Sequence, residues 1–243
     1  MPLYGLIGYP LSHSFSKKYF TEKFEREELH THTYELFPIA SIDGLKEVLQ
    51  NHPDLVGLNV TIPYKQDVLS FLDEQDEVVK NIGACNCIRV NNGKLKGFNT
   101  DVIGFEKSLK VQLQPSHKKA LILGTGGAAK AVEYVLAKLR IAFKYVSRKP
   151  VAGQLTYEEV TDSLLHEYTL IVNTTPLGMY PAVDQAPPLP YEALTAQHYL
   201  FDLVYNPSRT LFLQKGEAKG AAVENGYAML LIQADESWVI WNQ

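Results

Sequence analysis

A glycine-rich stretch at residues 124–129 constrains the fold of this 243-residue chain more than any other feature. An apolar run, Ala120-Leu121-Ile122-Leu123, leads into Gly124-Thr125-Gly126-Gly127-Ala128-Ala129, and a helical pattern follows. Glycines at this spacing let the backbone approach a pyrophosphate, and the helix N-terminus receives its charge. A tight strand-to-helix turn without a ligand could use the same residues. The order strand, Gly-x-Gly-x-x-Ala and helix nevertheless favours a dinucleotide-binding unit.

The residues after the next predicted strand indicate which dinucleotide would bind. The strand at residues 143–147 ends in Ser147-Arg148-Lys149. An NAD site places an acidic residue here to hold the ribose 2′-hydroxyl, whereas a hydroxyl and two cations suit a 2′-phosphate. The sequence therefore predicts NADP rather than NAD.

The rest of the chain alternates between strand and helix patterns, which favours an α/β fold with a mostly parallel sheet. We predict two units: an N-terminal α/β substrate domain at residues 1–101 and a C-terminal Rossmann-like dinucleotide-binding domain at residues 102–225. The terminal helix, residues 226–243, is expected to return to the first domain. Asn91-Asn92-Gly93 between two apolar runs predicts a β-hairpin.

The stretch Asn59-Val60-Thr61-Ile62-Pro63-Tyr64-Lys65 follows an apolar run. Pro63 cannot donate to a sheet and presets the backbone for a first helical turn, so we expect a strand to end near Ile62 and a helix at residues 64–71. Lys65 would stand at that corner. It is either a solvated residue at a helix start or a proton donor that a carboxylate holds in place.

Several other polar residues allow both a structural and a functional interpretation. Ser16 is expected to cap a helix at residues 17–26, but together with Ser14 it could also bind a carboxylate. Asp101 could cap the helix that follows it or pair with Lys65. Asn86 and Gln233 stand in apolar segments, where each could bond the protein or a ligand.

Composition excludes several classes of function. The formal net charge of −4 and the pI near 6 do not favour nucleic acid or an anionic membrane as a partner. The sequence lacks a signal-peptide pattern and any apolar run of roughly 18 residues. Cys85 and Cys87 are expected to be reduced packing residues, and no metal-binding pattern is present. We therefore expect a cytoplasmic protein without a metal site.

Taken together, these motifs resemble the shikimate dehydrogenase family over residues 5–238. The motifs that carry the resemblance are the serine pair Ser14 and Ser16, Asn-Val-Thr-x-Pro-x-Lys at 59–65, Gly-Ala-x-Asn at 83–86, Asn-Thr-Asp at 99–101, the glycine loop at 124–128, Asn-x-Thr-Pro-x-Gly-Met at 173–179 and Gly-x-x-Met-Leu-x-x-Gln at 226–233.

The resemblance implies NADPH-dependent, reversible reduction of 3-dehydroshikimate to shikimate on the pathway to aromatic amino acids, by a monomer or homodimer. It also implies a role for each matching residue. The catalytic residues would be Lys65 and Asp101, and the substrate ligands Ser14, Ser16, Thr61, Asn86, Tyr205 and Gln233. The NADP ligands would be Gly124, Thr125, Gly126, Gly127, Ala128, Ser147, Arg148, Lys149, Thr174, Leu203 and Gly226.

The chain departs from the family pattern in two places. Cys87 replaces a usual threonine, and the segment after Lys149 is a short loop rather than a further helical segment carrying a second cation. Two alternative functions stay open: an NAD-dependent quinate/shikimate dehydrogenase and a non-catalytic shikimate-binding module. The lack of an acidic residue after Val146 argues against the first, and the presence of Lys65 and Asp101 argues against the second.

Overall fold

The computed structural model describes residues 1–12 and 14–243. Its contacts divide the chain into two compact units. Unit 1 comprises Met1–Thr100 and Ala234–Gln243, and unit 2 comprises Asp101–Gln233. The first boundary falls one residue before the end of the predicted substrate domain, and the second falls inside the terminal helix rather than at its start.

Unit 1 is built on a mixed six-stranded sheet in the order β2-β1-β3-β5-β6-β4. Strands β1, β2 and β3 are mutually parallel neighbours, whereas β5 runs antiparallel to both β3 and β6. The strands are β1 (Leu3–Gly8), β2 (Thr33–Pro38), β3 (Leu55–Val60), β4 (Glu74–Gln75), β5 (Cys87–Asn91) and β6 (Lys94–Phe98), and the helices are α1 (Ser16–Arg26), α2 (Gly44–Asn51) and α3 (Glu77–Ile82).

Hydrophobic clusters cover both faces of this sheet. One contains Leu45, Leu58 and Ile88, and the other is aromatic, with Phe20 stacked on Tyr34 at a ring distance of 4.6 Å. The last helix, α8 (Tyr227–Trp241), contributes to the aromatic cluster through its C-terminal residues. Because alternate side chains of a strand point to opposite faces, a one-residue slip would move each side chain from one cluster to the other.

The hairpin prediction is confirmed, since β5 and β6 pair through Asn91 and Lys94, and Asn92 and Gly93 have φ values of 50° and 76°. Positive φ at both central residues is what a two-residue hairpin turn requires.

The prediction of a helix at residues 64–71 is wrong in its start and its type, although the end at Phe71 is correct. Turns occupy residues 62–66, and a short 3₁₀ helix follows at Asp67–Phe71. The carbonyl of Lys65 accepts a hydrogen bond from the Cys85 amide at 2.7 Å, so it is committed to another segment rather than to the next helical turn.

The capping prediction for Ser16 is also wrong, because α1 already begins at Ser16 and Phe15 occupies the N-cap position. The Ser16 amide instead donates to Ser14 Oγ at 3.3 Å.

Unit 2 contains an entirely parallel five-stranded sheet in the order β11-β10-β9-β7-β8. The strand order reverses between β7 and β9, and this is the point where doubly wound folds bind ligands, at the carboxyl ends of the strands. The strands are β7 (Lys119–Leu123), β8 (Ala142–Val146), β9 (Leu170–Asn173), β10 (Tyr199–Asp202) and β11 (Ala222–Glu224), and the helices are α4 (Asp101–Leu109), α5 (Gly127–Lys138), α6 (Asp162–Glu167), α7 (Leu211–Glu217) and the first part of α8. The predicted α/β class and Rossmann-like architecture are confirmed.

Candidate functional site

In unit 1, backbone hydrogen bonds join the end of β3 to the segment before β5. The Val60 amide donates to the Asn86 carbonyl at 2.9 Å, and the Cys85 amide donates to the Lys65 carbonyl at 2.7 Å. The Thr61 amide also donates to the carbonyl of Ile7 at the end of β1, at 3.0 Å. The structure therefore brings the backbones of three predicted site residues, Thr61, Lys65 and Asn86, onto adjacent segments.

The predicted serine pair lies at the start of α1, where both residues are partly exposed. Ser14 Oγ accepts from the Ser16 amide, and the Ser14 amide donates to the Leu11 carbonyl at 3.1 Å. Two hydroxyl groups thus stand at a helix N-terminus, a position that favours an anion.

Asn86 is buried, and its side chain is held by Thr100. The Asn86 Oδ1 atom accepts from the Thr100 amide at 2.7 Å, and Nδ2 donates to Thr100 Oγ1 at 3.0 Å. These two hydrogen bonds fix the orientation of the Asn86 side-chain amide. The residue after Thr100 is Asp101, which is buried and begins α4.

A buried polar network extends from that pair through unit 1. Thr100 Oγ1 lies 3.3 Å from Ser237 Oγ, Asn59 Nδ2 donates to Ser237 Oγ at 2.9 Å, and Tyr34 donates to Asn59 Oδ1 at 2.9 Å. We call Tyr34, Asn59, Asn86, Thr100 and Ser237 the neutral network. Burial raises the pKa of Tyr34, so every member is uncharged near neutral pH. Sequence reasoning did not identify Tyr34 or Ser237.

The remaining predicted substrate residues belong to unit 2. Burial raises the pKa of Tyr205, which follows β10. Gln233 on α8 donates from Nε2 to the Leu230 carbonyl at 2.9 Å. Helices α8 and α4 approach closely at Gly104, where a Cβ atom would lie 2.7 Å from the Met229 carbonyl.

The glycine loop of unit 2 is packed against the end of β9. Gly124 has a φ of +103°, and a Cβ atom there would lie 2.8 Å from Thr174 Oγ1. Thr174 donates to the Leu123 carbonyl from its amide at 2.9 Å and from Oγ1 at 2.7 Å. The conformation and the close approach both require glycine at position 124.

The N-terminus of α5 is suited to a phosphate group. Its N-cap is Gly126, which makes no side-chain cap and would have no neighbour within 4 Å of an added Cβ atom among the described residues. No side-chain cap therefore covers the positive end of this 12-residue helix, and that end suits an anion. These residues fit the pyrophosphate of a dinucleotide.

The shortened loop after β8 folds back onto that strand. The Ser147 amide donates to the Leu155 carbonyl at 2.9 Å, and the Leu155 amide donates to the Tyr145 carbonyl at 2.8 Å. Arg148 and Lys149 are exposed at the carboxyl end of β8. Two cations at this position fit the 2′-phosphate of NADP.

A buried carboxylate that sequence reasoning missed lies at the end of β10. Asp202 accepts from Asn173 Nδ2 at 2.9 Å, from the Val204 amide at 3.0 Å and from Thr210 Oγ1 at 2.5 Å. Burial raises the pKa of this carboxyl group to about 6, and the three hydrogen bonds oppose that rise. The available sequence signal was a carboxylate within the otherwise apolar run at residues 199–204.

The two other predicted cofactor residues lie beside Asp202. The Leu203 amide donates to the Asn173 carbonyl at 2.9 Å, and the Gly226 amide donates to the Val204 carbonyl at 3.2 Å. A Cβ atom on Gly226 would overlap the Leu203 carbonyl, so this contact requires glycine.

Residues 1–12 and 14–243 contain neither a metal-binding cluster nor a membrane-spanning helix. No group of three or more His, Cys, Asp or Glu side chains could hold a metal ion. In the same residues, no helix is long and apolar enough to cross a membrane.

Comparisons with known proteins show which family the chain resembles. Residues 6–88 match the family model described as the shikimate dehydrogenase substrate binding domain. The NADP(+) shikimate dehydrogenase of Desulforamulus reducens is 37% identical, with 98% of this chain and 88% of that protein aligned.

Two solved structures extend the likeness to the whole fold. A chorismate mutase/shikimate 5-dehydrogenase fusion protein from Clostridium acetobutylicum has a TM-score of 0.89 and 36% identity, covering 100% of this chain and 91% of that one. The shikimate 5-dehydrogenase of Thermus thermophilus, in complex with NADP(H) and shikimate, has a TM-score of 0.88 and 30% identity, covering 99% of this chain and 93% of that one. With identity above 30% over nearly its full length, the chain belongs to the shikimate dehydrogenase family.

Proposed function

We propose that this protein catalyses the NADPH-dependent, reversible reduction of 3-dehydroshikimate to shikimate in aromatic amino acid biosynthesis. The observation that carries the proposal is the position of Lys65, which follows β3 and whose carbonyl accepts from the Cys85 amide, next to Asn86. The chain also aligns with a shikimate dehydrogenase over nearly its whole length.

The proposed substrate ligands are mostly neutral hydroxyl and amide groups. Ser14 and Ser16 would hold the carboxylate at the start of α1. Asn86 uses one of its two Nδ2 hydrogens to bond Thr100, so the second is the one we assign to a substrate hydroxyl. Thr61, Tyr205 and Gln233 are proposed as the further substrate ligands on the basis of the family resemblance.

Lys65 is the proposed acid–base residue. Bound NADPH supplies the hydride that the ketone carbon receives. The carbonyl oxygen then becomes an alkoxide, and Lys65 Nζ donates a proton to it. In the reverse direction the neutral amine accepts the proton of the shikimate hydroxyl. Asp101 is the proposed partner that orients Lys65, and a positioned proton donor contributes roughly 10²- to 10⁴-fold to the rate.

NADP would be held by the features of unit 2 described above. The proposed pyrophosphate site is residues 124–128 at the start of α5, and the proposed 2′-phosphate site is Ser147, Arg148 and Lys149. Thr174, Leu203 and Gly226 are proposed to line the rest of the cofactor site. Unit 1 would accordingly be the substrate domain and unit 2 the cofactor domain.

A cytoplasmic location is proposed because both cysteines are free thiols buried in the core. A monomer or a homodimer is proposed as the working form, and sedimentation velocity would distinguish them.

The proposal is tested by initial rates of oxidation of shikimate and of quinate, each with NADP⁺ and with NAD⁺. We expect turnover with shikimate and NADP⁺ to exceed that of the other three combinations. Preference for NAD⁺ would show that Arg148 has been assigned wrongly. Shikimate binding without turnover by either cofactor would favour the non-catalytic binding module.

A further inference from the structure

Asp202 has no role in the mechanism above, yet its surroundings are elaborate for a structural carboxylate. It is the last residue of β10 and has 0% exposed surface. Burying a carboxylate costs free energy unless hydrogen-bond donors surround it. The segments that supply these donors indicate which parts of the structure the carboxylate holds together.

The first of its donors leads into the loop at residues 173–179. Asn173 donates from Nδ2 to Asp202, and its Oδ1 accepts from the Thr175 amide at 3.0 Å and from Thr175 Oγ1 at 2.7 Å. A carboxylate can only accept and an amide N–H can only donate, so the orientation of the Asn173 side chain is determined. Thr175 Oγ1 in turn accepts from the Leu177 amide at 3.3 Å.

The second donor leads into the segment at residues 203–205. The Val204 amide donates to Asp202, while the Val204 carbonyl accepts from Gly226. Leu203 is joined to Asn173 through its own amide. One carboxylate oxygen, Oδ1, therefore accepts from both segments, because it takes the bonds of Asn173 and Val204 together.

The third donor closes the arrangement at α7. Thr210 Oγ1 donates to Oδ2 of Asp202 and also accepts from the Leu213 amide at 3.4 Å, which caps the helix. The hydroxyl proton is thereby directed at the carboxylate, because its oxygen already receives an N–H group.

We propose that Asp202 is a positioning residue, whose carboxylate holds the 173–179 loop and the 203–205 segment in the arrangement that binds NADP. This inference rests on the proposed function, since Thr174 and Leu203 are among the cofactor ligands assigned there. Asp202 bonds their chain neighbours, Asn173 and Val204, and so acts on the cofactor site through these two segments.

The ionised form of Asp202 is the form that can accept from all its donors. Burial raises its pKa to about 6, so below that pH one oxygen gains a proton and competes with a donor. Burial and the charge of Asp202 both raise the pKa of Tyr191. The Tyr191 hydroxyl donates to the Pro187 carbonyl at 2.7 Å. Tyr191 therefore stays neutral where Asp202 titrates.

The test is equilibrium binding of NADP⁺ to the full-length protein, for wild type and for Asp202→Asn at pH 8. We expect the variant to bind roughly tenfold more weakly, because small displacements of ligand-holding segments are costly. A second pair avoids dependence on one variant's folding. Thr210→Val should weaken binding in the same direction, and Thr210→Ser, which keeps the hydroxyl, should restore it.

A spectroscopic signature separates positioning from a general loss of structure. In amide NMR spectra recorded from pH 5 to 8, the Val204 backbone amide and the Asn173 side-chain amide should titrate together near pH 6 in the wild type and not in Asp202→Asn. Unchanged NADP⁺ affinity in folded Asp202→Asn, or equal affinity in the two Thr210 variants, would overturn the proposal.

The NMR titration also separates this inference from the proposed function. If wild type failed to bind NADP⁺, the proposed function would fall and the cofactor part of the inference with it. The two amide titrations would still report whether Asp202 holds both segments.

Discussion

Each unit contains a buried polar network, and the two networks are built from different chemistry. In unit 1 the neutral network passes through five uncharged side chains, each bonded to the next. In unit 2 a single carboxylate, Asp202, receives donors from Asn173, Val204 and Thr210. Both networks are buried, and both hold residues that we assign to ligands.

The difference shows two ways of fixing a site. Each group of a neutral network has a small desolvation cost, but several groups are needed to span the distance that the network covers. A carboxylate reaches three segments at once through stronger, charge-assisted bonds, but its burial is costly and depends on pH. The contribution of the neutral network to stability should therefore not depend on pH. The contribution of the Asp202 network should change as the carboxyl group takes up a proton near pH 6.

The largest expected effect that separates the networks is the pH dependence of stability. The pKa of Asp202 is about 6 in the folded protein, against roughly 3.9 when unfolded. The folded state therefore binds more protons between these values, and stability falls as pH rises from about 4 to about 6. Relative to Asp202→Asn, wild type should lose roughly 3 kcal/mol of unfolding free energy over this range.

The measurement is denaturant unfolding of both proteins at a series of pH values, with the exposed Asp184→Asn as the control for removing one carboxylate. A constant stability difference between wild type and Asp202→Asn across that range would contradict the comparison. It would mean that the pKa of Asp202 is the same in the folded and the unfolded protein.

The next effect concerns the exposed cations of unit 2. Arg148→Ala should raise the KM for NADP⁺ about tenfold or more, because a hydrogen bond to a charged group contributes roughly 1.5–3 kcal/mol. The KM for NAD⁺ should not change, and it serves as the internal control. Equal increases for both cofactors would assign Arg148 to general packing rather than to the 2′-phosphate.

A smaller effect is expected from the neutral network. Ser237→Ala removes the hydroxyl that accepts from Asn59 and lies beside Thr100. The loss should be about 1–2 kcal/mol of stability, the cost of leaving a buried polar group with fewer partners. It should be the same at pH 5 and pH 8, as followed by thermal unfolding. A pH-dependent loss would contradict the neutral character of the network.

Local patterns predicted much of this molecule. The hairpin at residues 91–94 is confirmed because the backbone of an Asn-Gly turn is decided by the residues themselves. The parallel sheet of unit 2 also follows from local patterns repeated along the chain. The prediction of a helix directly after Pro63 was wrong because the Lys65 carbonyl accepts a hydrogen bond from Cys85, a residue distant in sequence.

The networks could not be read from the sequence for the same reason. Asn59 and Ser237 are bonded across 178 residues of sequence, and neither residue carries a local signal of that pairing. Asp202 gave a signal only as a charge in an apolar run. Its three donors come from three separate segments, so its role becomes visible when the strands are placed side by side.

The most direct test of the account is the kcat of NADP⁺-dependent shikimate oxidation by Lys65→Ala, measured beside Lys46→Ala, which removes an exposed lysine of the same unit. NADP⁺ affinity is measured on the same preparations. We predict that kcat falls by roughly 10²- to 10⁴-fold in Lys65→Ala with NADP⁺ affinity unchanged, and that Lys46→Ala matches wild type. A Lys65→Ala protein that retains the wild-type kcat would contradict the account, because proton transfer would then not depend on Lys65.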